Sequence, residues 1–375
     1  TFVKLHIDRQ AGLDVRNGLT KNINRSMIGQ FTRYYIQSKQ DFMNKVKPFY
    51  VVFKNENGID AGGLRRELAS ELIKDINEEK IGLFIKTPNG RNHEGKYQEC
   101  KIPSPDPAIS SSWRFYEAIG ALISIGIRTR IQQPDLLFPP LFWNFLITGN
   151  LTIEDIYDID KSYKNLVTNI FLDAKKMSDD EFERQYSSIS FLNSRGNQIK
   201  VGSLSSLFSS RKIKKDNCQR IIAECNEARL SELRIPLESI RTGFWENMNF
   251  QQPLFVTPNL IELLACGDRI ISSEKLKSSL SFDWNVPMQQ RRFIKEVIDR
   301  MTNDQRRKLI QFSTGISTLS ENKINVDYLD YPVDQRLPSS STCFFRLHLP
   351  PFSSAEKMYN ALDIAINETG TFENS

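Results

Sequence analysis

The chain has 375 residues, 39% of them hydrophobic and 25% charged, with a formal net charge of +5. That length allows two or three domains, the composition is that of a soluble globular protein rather than a disordered or fibrous one, and so small a charge on so long a chain gives no support to a dedicated nucleic-acid binder. No stretch reaches the ~20 apolar residues of a membrane helix, so no membrane span is expected, and a chain that opens on Thr1 with no signal peptide reads as a piece of something longer.

Taken in order, residues 48–53 read as a short apolar strand, followed by a turn-rich segment, 55–63, that ends in two glycines. Leu64, Leu68, Leu72, Ile73 and Ile76 then recur on one helical face. A phosphate-cradling loop is the alternative for the glycines, but no G-K-[ST] follows them. The polar, proline-rich stretch 90–107 reads as a surface connector, and 113–131 and 139–147 as buried helices, the latter with Phe142, Trp143 and Phe145. Thr152 with Asp155 marks a helix start. From 178 to 215 short strand-like pieces, 188–192 and 198–201, alternate with serines and charges, as in a small inserted subdomain. Helical character returns over 217–229. Thr257-Pro258 opens a helix that Gly267 can end.

The polar segment 272–286 reads as a linker leading to a compact α/β unit. There Phe293, Ile294, Val297, Ile298 and Met301 line a helix, Thr302 and Gln305 form a capping box for the next, and residues 343–349 alternate like a strand. Ser353 and Glu356 form a further box before a last helix that Gly370 ends.

The cysteines, Cys100, Cys218, Cys225, Cys266 and Cys343, are few and irregularly spaced, the usage of free thiols in a reducing compartment; a cytoplasmic or nuclear location is expected. With only His6, His93 and His348 in the chain, and no CxxC, neither a metal site nor a cofactor is expected. Cys343 follows a small, extended approach through Pro338 and three serines, where a thiol is open to a bulky partner. Arg336, Arg346 and His348 could depress its pKa, and only the thiolate attacks. Locally, an ordinary half-buried cysteine at a strand start is the favoured reading. A cysteine protease would need a histidine base, and His348, five residues along the same expected strand, should point away from Cys343. Thiol-to-thiol transfer needs no such partner, because a thioester is exchanged for a thioester.

The segment Arg336-Leu-Pro-Ser-Ser-Ser-Thr-Cys-Phe-Phe-Arg-Leu-His-Leu-Pro-Pro-Phe352 resembles the active-site segment of the HECT ubiquitin ligases. Further blocks at Asn57-Gly-Ile-Asp-Ala-Gly-Gly-Leu-Arg-Arg-Glu67, Pro103-Ser-Pro105, Glu262-Leu-Leu-Ala-Cys-Gly267 and Gln311-Phe-Ser-Thr-Gly315 resemble the same family in the same order.

The resemblance implies an α+β bilobal fold. Its large, mainly helical N-lobe would cover 1–280, with an inserted docking subdomain at about 151–225. A flexible hinge would lie at 281–286 and a small α/β catalytic C-lobe at 287–375. It implies that Cys343 takes ubiquitin from a ubiquitin-conjugating enzyme as a thioester and passes it to a lysine of a protein substrate. Thr342, Phe344 and Arg336 would shape the active-site loop, and Phe372 matches an aromatic residue the family needs near its C-terminus. Tyr163, Leu166 and Ile170 match an apolar helix near the docking site, where core packing is an equal alternative. Three positions depart from the pattern: Ser341 and Phe345 stand where many members have His and Asn, and His348 where some have an acid. A catalytically degenerate docking module is the rival reading, against which the intact Thr342-Cys343-Phe344 argues.

Overall fold

The computed structural model describes residues 3–43, 48–56, 63–105, 113–186, 189–199, 213–248, 256–268, 270–315, 319 and 323–368. The glycine-rich turn at 57–62, residues 200–201 of the strand expected at 198–201, Gly370 and Phe372 lie outside them. The fold is α+β, as expected, and the chain forms two compact units: one of residues 1–58, 71–129 and 136–261, the other of residues 59–70, 130–135 and 262–375.

In the first unit β1 (Val3–Ile7) pairs in parallel with β2 (Phe49–Phe53), which turns Phe49, Val51 and Phe53 inward. Helix α1 (Arg9–Arg16) ends on Arg16, whose guanidinium binds Glu71 at 2.8 Å and Asp75 at 2.8 Å on α2 (Gly63–Asn77). The predicted apolar face of α2 is buried at Leu68, Leu72, Ile73 and Ile76. The stretch 90–107 is more structured than a connector. A one-turn helix, Pro88–Asn92, precedes β4 (Lys101–Pro103), which pairs antiparallel with β3 (Phe84–Lys86). Polar bonds organise it: Thr87 Oγ1 caps Gly90 N–H at 3.0 Å, and the Asn89 side chain donates to the Lys96 and Asp158 carbonyls, each at 2.9 Å. Apolar periodicity cannot register such a segment.

Helix α3 (Trp113–Thr129) and the long α4 (Cys218–Met248) form the centre of this unit. A Cβ at Gly120 would collide with the Ile240 carbonyl oxygen, and one at Gly243 with that of Glu117, so the two glycines let the backbones touch. Helical structure runs well past the expected end at 229, through the buried Pro236. Arg229, fully buried on α4, binds Asp160 at 2.8 Å, the Leu192 carbonyl at 2.9 Å and Ser194 Oγ at 3.1 Å. It thereby ties in the segment 189–199, whose pairing is a single bridge between Leu192 and Gln198.

Helix α5 (Pro258–Cys266) runs across the boundary at 261/262 into the second unit; it begins at the predicted Thr257-Pro258 and stops at Gly267, whose φ is +73°. The segment expected as a linker carries α6 (Ser273–Ser279) and β5 (Leu280–Phe282). The serines that suggested a linker act in capping: Ser272 Oγ accepts Lys275 N–H at 3.1 Å. Strand β5 is an edge of a four-stranded sheet in the order β5-β6-β8-β7, with β6 (Ile324–Tyr328), β7 (Ser339–Ser341) and β8 (Arg346–Leu349). The first three strands are parallel and β7 is antiparallel. Ile324, Val326, Leu347 and Leu349 share a buried cluster with Ile294, Val297 and Ile298 of α7 (Met288–Arg300) and Met358 and Leu362 of α9 (Ala355–Glu368). Between them α8 (Asn303–Thr314) opens on the predicted Thr302–Gln305 capping box. The second box is displaced: Ser354 caps α9 through Lys357 N–H at 3.3 Å, while Ser353 binds Asp334 through its N–H at 2.9 Å and its hydroxyl at 2.6 Å. No described helix is long and apolar enough to cross a membrane.

Candidate active site

Strands β7 and β8 are joined by a single 3-10 turn, Thr342–Phe344, and the backbone of Cys343 is its middle residue. The extended run expected over 343–349 therefore starts only at Arg346. What breaks it is Phe345, at φ +52° in the left-handed region, with its N–H on the Thr342 carbonyl at 3.3 Å and its carbonyl accepting Asn325 N–H at 2.8 Å. Strand alternation consequently says nothing about Cys343 relative to His348. Thr342 and Phe344 are exposed, Phe344 at 71%. The predicted stop of α8, Gly315, adopts φ +76° and lies against Thr342, so a Cβ there would sit 3.6 Å from Thr342 Cβ.

The face of the sheet opposite the apolar cluster is polar. His348 pairs in register with Asp327 on β6, and its Nδ1 lies 3.3 Å from Asp327 Oδ2. Its Nε2 lies 3.0 Å from Ser341 Oγ on β7. Arg346 donates to Asp327 Oδ2 at 2.7 Å and lies 4.0 Å from Asp283. Burial alone would raise the Asp327 pKa, but hydrogen bonds from the Asp283 carboxyl and from Arg346, with the charge of Arg346, hold it below the usual carboxylate value. Asp283 is pushed the other way, first by its hydrogen bond with Asp327. Of the three cations expected around Cys343, Arg346 and His348 thus face carboxylates, and Arg336 stacks over Tyr331 at 5.3 Å.

The docking candidates lie on the helix Lys161–Lys176, in the first unit. Tyr163 is buried, its hydroxyl donating to Asn226 Oδ1 at 2.6 Å, and Ile170 is fully buried; Leu166 is half-buried. Burial, above all, drives the Tyr163 pKa up. Packing accounts for Tyr163 and Ile170, and the apolar side chains the same helix exposes are Phe171 and Leu172. Single-face periodicity could not separate these two sets. Three other cysteines, Cys218, Cys225 and Cys266, are buried and Cys100 is half-buried; burial pushes the Cys225 thiol up to about 12. Among the described residues no group of three or more His, Cys, Asp or Glu is arranged to hold a metal ion.

Residues 70–375 match the family model described as HECT-domain (ubiquitin-transferase). The chain is 26% identical over 330 residues to the E3 ubiquitin-protein ligase HERC2 of Homo sapiens, covering 84% of this chain and 7% of that protein. It is 25% identical to the probable E3 ubiquitin-protein ligase HUL4 of Eremothecium gossypii, over 97% of this chain and 44% of that protein. To the E3 ubiquitin-protein ligase NEDD4 of Rattus norvegicus it is 22% identical, over 96% of this chain and 41% of that protein. The chain thus spans less than half the length of each of these relatives.

Proposed function

Since this chain belongs to the HECT-domain (ubiquitin-transferase) family, we propose that it is the catalytic portion of an E3 ubiquitin-protein ligase in which Cys343 carries ubiquitin as a thioester. The Cys343 thiolate attacks the thioester on a charged ubiquitin-conjugating enzyme. A new carbon–sulfur bond forms, the old one breaks, and the conjugating enzyme leaves as its own thiolate. A lysine amine of a protein substrate then attacks the Cys343 thioester, giving an isopeptide bond and the free thiol. The first step trades like for like and needs little driving force.

The observation that carries this reading is the position of Cys343 in a turn between exposed neighbours, inside the motif-bearing segment 336–352, while Cys218, Cys225 and Cys266 are buried. A buried thiol whose pKa is raised is a poor acceptor. The conjugating enzyme docks, in this reading, at the exposed Phe171 and Leu172 rather than at the packed Tyr163 and Ile170. The bilobal division with a flexible hinge at 281–286 stays part of the proposal; Ser281 and Phe282, at the start of that hinge, are paired with β6. The role of Phe372 in lysine transfer stays part of the proposal.

The test combines the protein with activating enzyme, a panel of conjugating enzymes, ubiquitin and ATP, and resolves the products with and without reductant. A reducible ubiquitin adduct is expected with the native chain and none with Cys343→Ser, which can form only an ester. A reducible adduct forming on Cys343→Ser at the native rate would overturn the assignment.

A further inference from the structure

Three side chains on three neighbouring strands form a continuous polar row, Asp327 on β6, His348 on β8 and Ser341 on β7, linked at 3.3 and 3.0 Å, and β7 and β8 are the strands that flank the turn holding Cys343. The row is sheltered, with the His348 and Asp327 side chains 21% and 12% exposed. Its outer member, Ser341, immediately precedes the turn whose middle residue is Cys343. We infer that this row is a proton relay for the incoming lysine, in which Ser341 takes the proton from the amine and His348, held by Asp327, receives it through Ser341. The inference rests on the reading of Cys343 as the ubiquitin carrier and adds the base that this reading lacks.

The geometry sets the tautomer. Asp327 opposite Nδ1 favours a proton on that nitrogen, which leaves Nε2 to accept the Ser341 hydroxyl proton. When the lysine nitrogen attacks the thioester carbonyl, the C–N bond forms and the C–S bond breaks, with sulfur leaving as the Cys343 thiolate. One nitrogen proton passes to Ser341 Oγ as the serine proton passes to His348 Nε2. The imidazolium then faces the Asp327 carboxylate until its proton returns to solvent. Nothing is oxidised or reduced. Ser, His and Asp also serve acyl hydrolases, where the serine is the nucleophile; here a thiol two residues away is the better nucleophile, and the hydroxyl is left to pass protons.

The charged groups around His348 fit this role. From β6 comes Asp327, on its own strand Arg346, and beyond β5 Asp283, which shares Arg346 with Asp327. Helix α8 also packs against β7 and β8, but its cations are committed: Arg306 to the Ile271 and Met301 carbonyls at 2.8 and 2.6 Å, Arg307 to Asp135 at 2.7 Å, Lys308 to Asn367 at 3.0 Å.

The experiment separates two rates. The protein is charged with ubiquitin, further charging is stopped, and decay of the thioester on added free lysine is followed. In His348→Gln, Asp327→Asn and Ser341→Ala the ratio of discharge to charging is expected to fall roughly tenfold or more. Ser341→Thr, which keeps the hydroxyl, should recover most of the rate. A native-like ratio of discharge to charging in His348→Gln would overturn the relay. So would a parallel fall of both rates, which marks a merely structural role, or a hydroxylamine-labile ubiquitin ester on Ser341. Failure of the carrier reading is separate, since it shows in Cys343→Ser.

Discussion

Ser341 and His348 are hydrogen-bonded at 3.0 Å although they are not cross-strand partners: the register pairs Ser341 with Arg346 and sets Ser339 opposite His348. The contact is diagonal, between residues on the same face of adjacent antiparallel strands, and a long side chain such as imidazole spans that distance. A part-buried hydrogen bond of this kind is worth about 1 kcal/mol net. A double-mutant cycle with Ser341→Ala and His348→Ala, read by urea unfolding, should therefore give a coupling of about 0.5–1.5 kcal/mol. Additive single losses would show that the bond contributes nothing to stability.

Phe345 occupies the left-handed region at φ +52°. That conformation costs an ordinary L residue roughly 1–2 kcal/mol and Asn less, because its short polar side chain is tolerated there. The Arg66 guanidinium lies 5.5 Å from the centroid of its ring, a contact worth about 0.5 kcal/mol at a partly exposed site. Phe345→Asn is expected to stabilise the protein by up to about 1 kcal/mol, measured by chemical denaturation. A clear loss of stability would mean that the ring's packing outweighs the strain.

Asp334 holds the loop before β7 to the start of α9 through Lys357 at 2.7 Å and Ser353. The hydrogen bond from Lys357, then those from Ser353, depress its pKa from 3.8 to about 2. A depressed carboxylate stabilises the fold above its unfolded value and loses that contribution as pH falls through the folded value. Asp334→Asn should thus be less stable than the native chain at pH 6, and the gap should close progressively below pH ~4. Thermal melts from pH 6 down to pH ~2.5 read this directly; a gap independent of pH would exclude the ionic origin.

Arg229 neutralises two sheltered carboxylates, Asp160 at 2.8 Å and Glu232 at 3.4 Å. Burial already raises the Glu232 pKa against the pull of Arg229. Arg229→Met would strand both carboxylates away from water, a change that costs about 3–5 kcal/mol when one partner of a buried pair is removed. Adding Asp160→Asn to Arg229→Met should recover part of that loss. A single variant within about 1 kcal/mol of the native chain would contradict a role for the pair in stability.

Periodicity and capping residues were legible wherever local physics decides. The apolar face of α2, the Thr302–Gln305 box, the Thr257-Pro258 start and the Gly267 and Gly315 stops stand where the sequence puts them, because each depends on residues within about one helical turn. The segment 272–286 was misread for the opposite reason. Its polar composition suits a linker, yet β5 forms through pairing with Ile324–Val326, more than forty residues away. The interruption of the expected strand at Phe345 was equally hidden, since a phenylalanine gives no local sign of a left-handed backbone.

By itself the sequence determined the family, through motifs in order, and those motifs, rather than the local chemistry of the thiol, singled out Cys343. Only the tertiary structure decided that His348 faces Ser341 and Asp327, because that row is assembled from three strands whose order in the sheet differs from their order in the chain. Strand pairing is a long-range choice, governed by what the buried face of the sheet must cover, and it brings together residues whose spacing in sequence carries no sign of their contact.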